Sequence, residues 1–184
     1  QHSGLLMNKK DFSFDLPTEL IATYPLKKRS DSRLLHFNRQ NKNYAHHQFK
    51  TLPQLLKAGD LLVLNDTKVI PARFFGQKET GGHVEVLVER QLSDTHFLAH
   101  IRASKAPKNG SFIVLEKNYQ IKILEKRDDI YFCETENLPD VLDKIGHIPL
   151  PLYIDREDEE LDKERYQTVY ARHQGSVAAP TAGL

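Results

Sequence analysis

The sequence has few cysteines, no long apolar run and almost no net charge. The single cysteine, Cys133, excludes an intrachain disulfide framework and a multi-thiolate zinc site, and it favours a reduced, cytoplasmic setting. No apolar run approaches the roughly 20 residues of a membrane-spanning helix, and no N-terminal segment has the layout of a secretory signal. With 26 Lys and Arg against 25 Asp and Glu, the whole molecule does not attract nucleic acid, although a local basic face stays open.

The composition suits one ordinary soluble globular domain or two small ones. The chain has 184 residues, of which 39% are hydrophobic and 28% are charged. Residues 1–10 are set aside from the fold, because Gln1–Leu6 precede the only methionine and look like a remnant of cloning. At the other end the chain stops directly after a run of small residues and Pro180, which we interpret as a truncation inside a functional segment.

Residues 11–72 have the pattern of a mixed α/β unit. Asp15–Pro17 predicts the start of a short helix, and a second short helix begins near Thr51 and ends at Gly59. A strand is expected over residues 32–37. The solid apolar run Leu61–Leu64 predicts a strand buried on both faces. Polar residues follow it directly, where ligands gather in open α/β sheets.

Residues 73–147 change to a pattern of short strands. Val84, Val86 and Val88 alternate with other residues, which is the period of a strand. Further short strands are predicted over residues 95–101, 112–115, 120–124 and 130–134, separated by turn residues. Such spacing indicates a small antiparallel barrel or sandwich, and the barrel is favoured because closure removes exposed edges.

After Gly146 the pattern changes again. The proline-rich stretch over residues 148–153 predicts an extended connector. Asp162 is expected to be the N-cap of a helix that continues through Tyr166 and His173 and stops at Gly175.

Neither the histidines nor the cysteine indicates a reactive or metal-binding centre. There are nine histidines, but His96 and His100 lie on a predicted strand, where four residues span roughly 13 Å and share no zinc ion. We therefore expect no metal. Cys133 lies inside a predicted strand, and an inert buried thiol is expected there.

Three segments carry residue types suited to binding or chemistry. Asn65–Arg73 places an amide, a carboxylate, a hydroxyl and two cations at a strand end, although an Asx-type turn would by itself explain Asn65 and Asp66. Gly175–Gly183 has small side chains that let the backbone approach a ligand, or that form a tight crossing. Arg29–Arg33 has two arginines beside hydroxyls, which suits a phosphate or carboxylate as well as a solvated turn.

Several segments have a long and unusual composition: Phe14–Pro17, Leu20–Ala22, Ser32–Leu35, Gly59–Arg73, Thr80–Gly82, Val84–Leu87, Gly146–Pro151, Arg165–Ala171 and Gly175–Leu184. In these segments the chain resembles the N-terminal half of the S-adenosylmethionine:tRNA ribosyltransferase-isomerases of queuosine biosynthesis. The match runs from residue 12 to the last residue, but the second half of the family's length is absent.

The resemblance implies a mixed α/β domain interrupted by an inserted small antiparallel β-barrel. The α/β domain would then comprise residues 11–72 and 148–184, and the barrel residues 73–147. The implied reaction transfers and isomerises the ribosyl group of S-adenosylmethionine onto 7-aminomethyl-7-deazaguanine in a tRNA anticodon. The product carries an epoxycyclopentanediol group, while adenine and methionine leave. No metal and no membrane are expected, and a monomer follows from the resemblance.

Residue types suggest roles at the positions that match the family. We expect Asp66 to be a base or a hydroxyl-binding carboxylate, and Lys68 to act beside it in the catalytic set. Lys68 and Arg73 are suited to the methionine carboxylate or a tRNA phosphate. The remaining assignments are co-substrate contacts at Asn65, Thr67, Ser176, Ala178, Thr181 and Gly183, and RNA contacts at Arg33, Arg73 and Arg165.

Two alternatives remain open. The first is a non-catalytic RNA-binding barrel module, although residues 73–147 lack an obvious aromatic and basic stripe for base stacking. Binding of S-adenosylmethionine separates that module from the enzyme. The second is an inactive fragment of the enzyme, and we expect the 184-residue chain to be inactive by itself.

Overall fold

The structure, a computed structural model, describes residues 7–184, with the side chains of Gln174 and Ser176 left aside. Ten strands and three short α-helices form within it. The strands are β1 (Arg33–Asn38), β2 (Asn43–Gln48), β3 (Thr67–Val69), β4 (Arg73–Lys78), β5 (His83–Gln91), β6 (His96–Ala103), β7 (Phe112–Leu115), β8 (Gln120–Arg127), β9 (Ile130–Glu134) and β10 (His173–Ser176). The helices are α1 (Leu52–Leu55), α2 (Leu138–Ile145) and α3 (Glu160–Arg165).

Six strands close into an antiparallel barrel, which confirms the barrel predicted from the alternating pattern. Its strand order is β4-β5-β6-β9-β8-β7, and β7 pairs back onto β4. Val84, Val86 and Val88 of β5 point inward and are buried, while their neighbours along the strand are more exposed. The interior is filled by Phe74, Phe97, Ala99, Ile113, Leu115, Ile121, Ile123, Tyr131 and Cys133.

Helix α2 packs its apolar face onto the same core. Asn137 caps the helix by accepting the backbone N–H of Asp140, and Pro139 lies in its first turn, where the missing N–H costs nothing. Leu138, Val141, Leu142 and Ile145 are buried and belong to the barrel's apolar cluster. The sequence analysis did not anticipate this helix.

Outside the barrel the regular structure is sparse, and the expected mixed α/β domain is not confirmed. Strands β1 and β2 form an antiparallel hairpin, and β3 pairs in parallel with β10. The described remainder consists mainly of loops and of one-turn 3₁₀ helices at Lys9–Phe12, Thr18–Leu20, Arg29–Asp31, Phe49–Thr51, Leu152–Ile154 and Thr181–Gly183.

Three local predictions are wrong. Leu61–Leu64 forms no strand, and its side chains are between 53% and 89% exposed, since none of the described residues pairs with it or covers it. The helix expected to run from Asp162 through His173 ends at Arg165. The backbone around His173 pairs with β3 instead. The N-cap of α3 is Glu159, and Asp162 is its capping-box partner, accepting the N–H of Glu159.

The connector after α2 is fastened to the barrel at His147. Arg73 and His147 form an antiparallel bridge, and the imidazole of His147 lies against Phe75 with ring centroids 5.0 Å apart. Its Nδ1 is 2.8 Å from Asp158 Oδ1, and its Nε2 is 3.0 Å from Glu116 Oε1. One histidine therefore joins the barrel to the segment that leads to α3.

Among residues 7–184 no helix combines the length and the apolar character needed to cross a bilayer.

Candidate functional site

The parallel pairing of β3 with β10 brings two of the three candidate segments together. Thr67 lies opposite His173, and Lys68 lies opposite Gln174. The carbonyl of Asp66 accepts the backbone N–H groups of Arg172 at 2.7 Å and of His173 at 3.2 Å. Asn65–Val69 and His173–Ser176 therefore meet at one edge, although they are distant along the chain.

A carboxylate and an imidazole face each other at this edge. Asp66 Oδ2 lies 3.1 Å from His173 Nδ1, and the two residues are 107 positions apart in the sequence. Because an ionised carboxylate oxygen only accepts, Nδ1 carries the hydrogen, and Nε2 of a neutral ring keeps a free lone pair. The two side chains are 46% and 76% exposed, so this pair is open to a substrate.

Asn65 shapes the turn that leads into β3. Its Oδ1 accepts the backbone N–H of Thr67 at 3.0 Å and also the hydroxyl of Thr67. This is the Asx-type turn that the sequence allowed, but it leads into a parallel ladder and not into a hairpin. On the other edge of β3, the amide of Gln167 accepts from Val69 N–H and donates to Val69 O, at 3.0 Å and 3.2 Å.

Lys68 is an exposed cation of this ladder. Its side chain is exposed, and in the described part of the chain it forms no hydrogen bond or ion pair. Its ammonium group is therefore available to an anionic ligand at the edge that carries Asp66 and His173.

A large cavity adjoins the same edge. It has a volume of about 830 Å³ and is lined by Ile70 and Pro71 after β3, by Gly175 of β10, and by residues of β5 and α2. That volume lies within the usual range for small-molecule pockets. Glu89 of β5 lines the cavity, and its Oε2 is buried with no hydrogen-bond partner among the described residues. Sequence reasoning missed Glu89, because nothing in the alternating pattern of β5 distinguishes it from a surface position.

The small-residue segment divides between two environments. The Ser176 side chain, a predicted co-substrate contact, lies outside the described residues, while Ala178 is exposed. Gly183 packs against the protein itself, since a Cβ there would clash with Tyr170 Oη and would lie 3.1 Å from Thr168 Cγ2. Thr181 is exposed and lines a second cavity of about 250 Å³.

The three arginines predicted to contact RNA lie in different surroundings. Arg73 is 14% exposed, lies 2.9 Å from Glu85 Oε1, and donates to the carbonyl of Leu150 at 3.0 Å. Arg33 is exposed at the start of β1. Arg165 lines the same cavity as Thr181. Arg165 and Thr181 of the small-residue segment therefore line one cavity, whereas Arg73 lies where the barrel meets the connector. The RNA contacts of all three arginines stay predictions.

Sequence reasoning did not select His173 as a candidate site residue. It was assigned to a helix face, where it would not meet Asp66. Gly175, which adopts a positive φ of 137°, lies within β10 and does not end a helix there. Among residues 7–184 no group of three or more His, Cys, Asp and Glu side chains is arranged to hold a metal ion.

Comparison with known proteins gives a consistent relationship. The family model described as "Queuosine biosynthesis protein" matches residues 9–184. A relative from Legionella pneumophila (strain Corby), an S-adenosylmethionine:tRNA ribosyltransferase-isomerase, is 62% identical over 97% of this chain and 53% of its own length. The protein of the same name from strain Lens is 61% identical over the same shares.

A solved structure, the S-adenosylmethionine tRNA ribosyltransferase of Thermotoga maritima, is 28% identical. The match covers 79% of this chain and 52% of that one, with a TM-score of 0.38. The chain spans about half the length of the curated relatives it matches. On the strength of the family match over nearly all of its residues, the chain belongs to the queuosine biosynthesis protein family.

Proposed function

We propose that this protein, at the full length of its relatives, transfers and isomerises the ribosyl group of S-adenosylmethionine onto 7-aminomethyl-7-deazaguanine in a tRNA anticodon. Adenine and methionine leave, and the modified base keeps an epoxycyclopentanediol group. Family membership supports this proposal, as do the names of the Legionella relatives. We place the reaction in the cytoplasm, where a free thiol such as Cys133 stays reduced.

The observation that carries the proposal is the meeting of Asp66 and His173 on the β3–β10 edge, where Gly175 also lines the large cavity. The sulfonium of the co-substrate acidifies the adjacent C5′ protons, and a base must remove one of them. His173 Nε2 is suited to accept that proton, while Asp66 holds the ring and stabilises the imidazolium that forms. Asp66 thus has the role of an orienting carboxylate, which refines its expected role as the base itself.

Other groups at the edge suit the remaining parts of the substrates. The exposed ammonium of Lys68 is suited to the carboxylate of the methionine moiety. Glu89 lines the cavity, and its carboxylate is suited to a cationic group there, such as the sulfonium or the aminomethyl nitrogen. Asn65 and Thr67 bond to each other and set the turn, so their contribution to the co-substrate site is the position of Asp66.

Turnover and proton exchange test this assignment in the protein extended to the length of its relatives. With co-substrate deuterated at C5′, loss of the label reports proton removal separately from transfer to tRNA. His173→Gln should lower both rates by about a hundred-fold or more, and Asp66→Asn should lower them less. His46→Gln, which changes an exposed histidine of β2, is the matched control. Unchanged turnover in both site variants would remove this pair from the mechanism.

Binding of S-adenosylmethionine separates the enzyme from a non-catalytic RNA-binding barrel. Calorimetric titration should show binding that weakens in Lys68→Ala, because the variant loses the cation expected to meet the carboxylate. The barrel module would be supported if both the 184-residue chain and the extended protein bind RNA but give no binding heat with S-adenosylmethionine. Turnover by the 184-residue chain alone would contradict our expectation that it is inactive by itself.

A further inference from the structure

A second cavity, separate from the β3–β10 edge, collects positive charge. It has a volume of about 250 Å³ and lies between the segment around residues 22–32, the 3₁₀ turn at Leu152–Ile154, α3 and the turn at Thr181–Gly183. Three guanidiniums line it, from Arg29, Arg156 and Arg165, together with the carboxylate of Asp162.

The Asp162 carboxylate is already paired with one of the three arginines. Arg156 Nη1 and Nη2 each lie 2.7 Å from an oxygen of Asp162, which is a bidentate pair. Arg156 also lies over the ring of Tyr24, 4.2 Å from its centroid. The positive charges of Arg29 and Arg165 are therefore left without an ion pair in the described part of the chain.

Arg29 and Arg165 are instead held by backbone carbonyls in a reciprocal arrangement. Arg29 Nη2 donates to the carbonyl of Glu164 at 2.7 Å, and Arg165 Nη1 donates to the carbonyl of Lys27 at 3.3 Å. These bonds hold both guanidiniums in place. Burial and the nearby charge of Arg165 lower the pKa of Arg29, and the charge of Glu164 opposes this lowering.

One donor of this pair is unpaired among the described residues. Arg165 Nε is buried and has no hydrogen-bond partner among the described residues. A buried donor without a partner costs about 1–3 kcal/mol, so native structures rarely retain one unless something else satisfies it. Guanidinium groups match the oxygens of phosphate in a planar, two-pronged geometry.

An exposed aromatic ring lies beside the charged pair. Tyr153 lines the cavity and is 61% exposed, so its ring offers a face on which a nucleobase can stack. A phosphate between the arginines and a base on Tyr153 are adjacent parts of one RNA strand. A small free anion has no base that could stack on the Tyr153 ring.

We propose that Arg29 and Arg165 form a phosphate-binding site for the RNA strand, with Tyr153 stacking on a neighbouring base. The inference rests on the proposed function, because tRNA is the substrate that brings such a strand. It adds a site on α3 and the N-terminal segment that is distinct from the Asp66–His173 edge. Thr181 lines the site, which turns its predicted contact with the co-substrate into a contact with RNA.

Fluorescence anisotropy with a labelled anticodon stem-loop of unmodified RNA tests the site without turnover. Arg29→Ala and Arg165→Ala should each weaken binding about ten-fold. Each should also lower the slope of log affinity against log salt by about 0.7, the contribution of one phosphate contact on a single strand. Arg165→Lys keeps the charge, so it should keep the slope while losing affinity. Arg39→Ala, an exposed arginine outside the cavity, is the matched control and should change neither.

A measurement on the unchanged chain keeps the test valid if a variant does not fold. The Nε–Hε resonance of Arg165 should shift when the RNA stem-loop is added. Inorganic phosphate, added at constant ionic strength, should cause a smaller shift at the same resonance. An unmoved resonance together with RNA binding that Arg29→Ala leaves intact would overturn the site, whereas turnover in the extended protein would stand. If the extended protein shows no turnover but its RNA binding depends on Arg29 and Arg165, the proposed ribosyl transfer is refuted and the phosphate-binding site stands.

Discussion

His147 makes the stability of the protein depend on pH, in a direction that the geometry fixes. Its two ring nitrogens each face a carboxylate, Nδ1 toward Asp158 and Nε2 toward Glu116. Carboxylates only accept, so both contacts are satisfied when the ring carries two hydrogens. Burial by itself lowers the pKa of His147, but the hydrogen bonds to Glu116 and Asp158 outweigh it and raise the pKa above its ordinary 6.5.

The sign of the pH effect follows from proton uptake on folding. Since the pKa is higher in the folded state, the folded protein binds more protons than the unfolded chain over this range. The stabilisation is fully present below pH 6.5, the ordinary value, and is lost as the pH rises through the folded pKa. We expect the free energy of unfolding to fall on going from about pH 5 to about pH 8.

The two carboxylates should differ in their effect, because they differ in burial. The Asp158 side chain is 9% exposed and also accepts the backbone N–H of Ile148 at 2.8 Å, so Asp158→Asn should cost about 1.5–3 kcal/mol. Glu116 is 50% exposed, and Glu116→Gln should cost about 0.2–1 kcal/mol. The measurement is urea unfolding followed by circular dichroism and tyrosine fluorescence, since the chain has 7 tyrosines and no tryptophan.

The matched control for the pH effect is His147→Gln, which fills similar space and does not titrate. Its unfolding free energy should change less with pH than that of the unchanged protein. If the two pH profiles are parallel, or if Glu116→Gln is more costly than Asp158→Asn, then His147 does not bind its proton as the geometry requires.

Further predictions concern the barrel and α3. Phe97 is fully buried, so Phe97→Ala should lower the free energy of unfolding by about 3–5 kcal/mol in urea titrations, and Phe97→Leu by clearly less. Burial raises the pKa of the Cys133 thiol to about 12, so iodoacetamide should label it at neutral pH only as fast as the barrel opens. The Asp162 side chain is 4% exposed and pairs with Arg156, so Asp162→Asn should speed proteolysis within α3 and leave the stability of the barrel unchanged. Equal sensitivity of α3 and the barrel to proteolysis would count against this prediction.

The barrel was predictable because its signals are local and repeated. Alternation in β5 is the period of a strand with one buried face, and the turn residues between strands mark where the chain reverses. The ends of β7 and β9 agree with the predicted runs 112–115 and 130–134. The pattern of α2 was missed, since eight residues beginning Leu138–Pro139 give a short helical signal beside a proline.

The candidate site was only partly predictable, because tertiary pairing decides it. Asn65–Thr67 could be selected from residue type alone. His173 was placed on a helix, since its spacing from Tyr166 and Val169 is helical. The carbonyl of Asp66 instead captures the N–H of His173, which no local propensity encodes. The same limit applies to Arg29 and Arg165, whose partners are carbonyls more than a hundred residues away along the chain.

The exposed surface of the chain indicates that β3 and β10 are less stable than the barrel. The chain exposes 14114 Å², whereas a folded monomer of its mass of 21.2 kDa exposes roughly 9,000 Å². Many exposed large apolar side chains lie between Phe12 and Leu64, outside the barrel. Val69 of β3 is buried, but β3 and β10 form a sheet of only two strands among the described residues, whereas the six barrel strands share one buried cluster.

Regions with few buried contacts open by local unfolding at lower free energy than the core. Amide hydrogen exchange should therefore be faster at Val69 and His173 than at Val86 and Ile123. This difference in exchange rate should persist as urea is added, until the barrel itself unfolds. Equal protection would mean that the site is as firmly built as the barrel in this chain. Faster exchange would mean that the distance between Asp66 and His173 is set by few contacts, and it would account physically for the expected inactivity of the 184-residue chain alone.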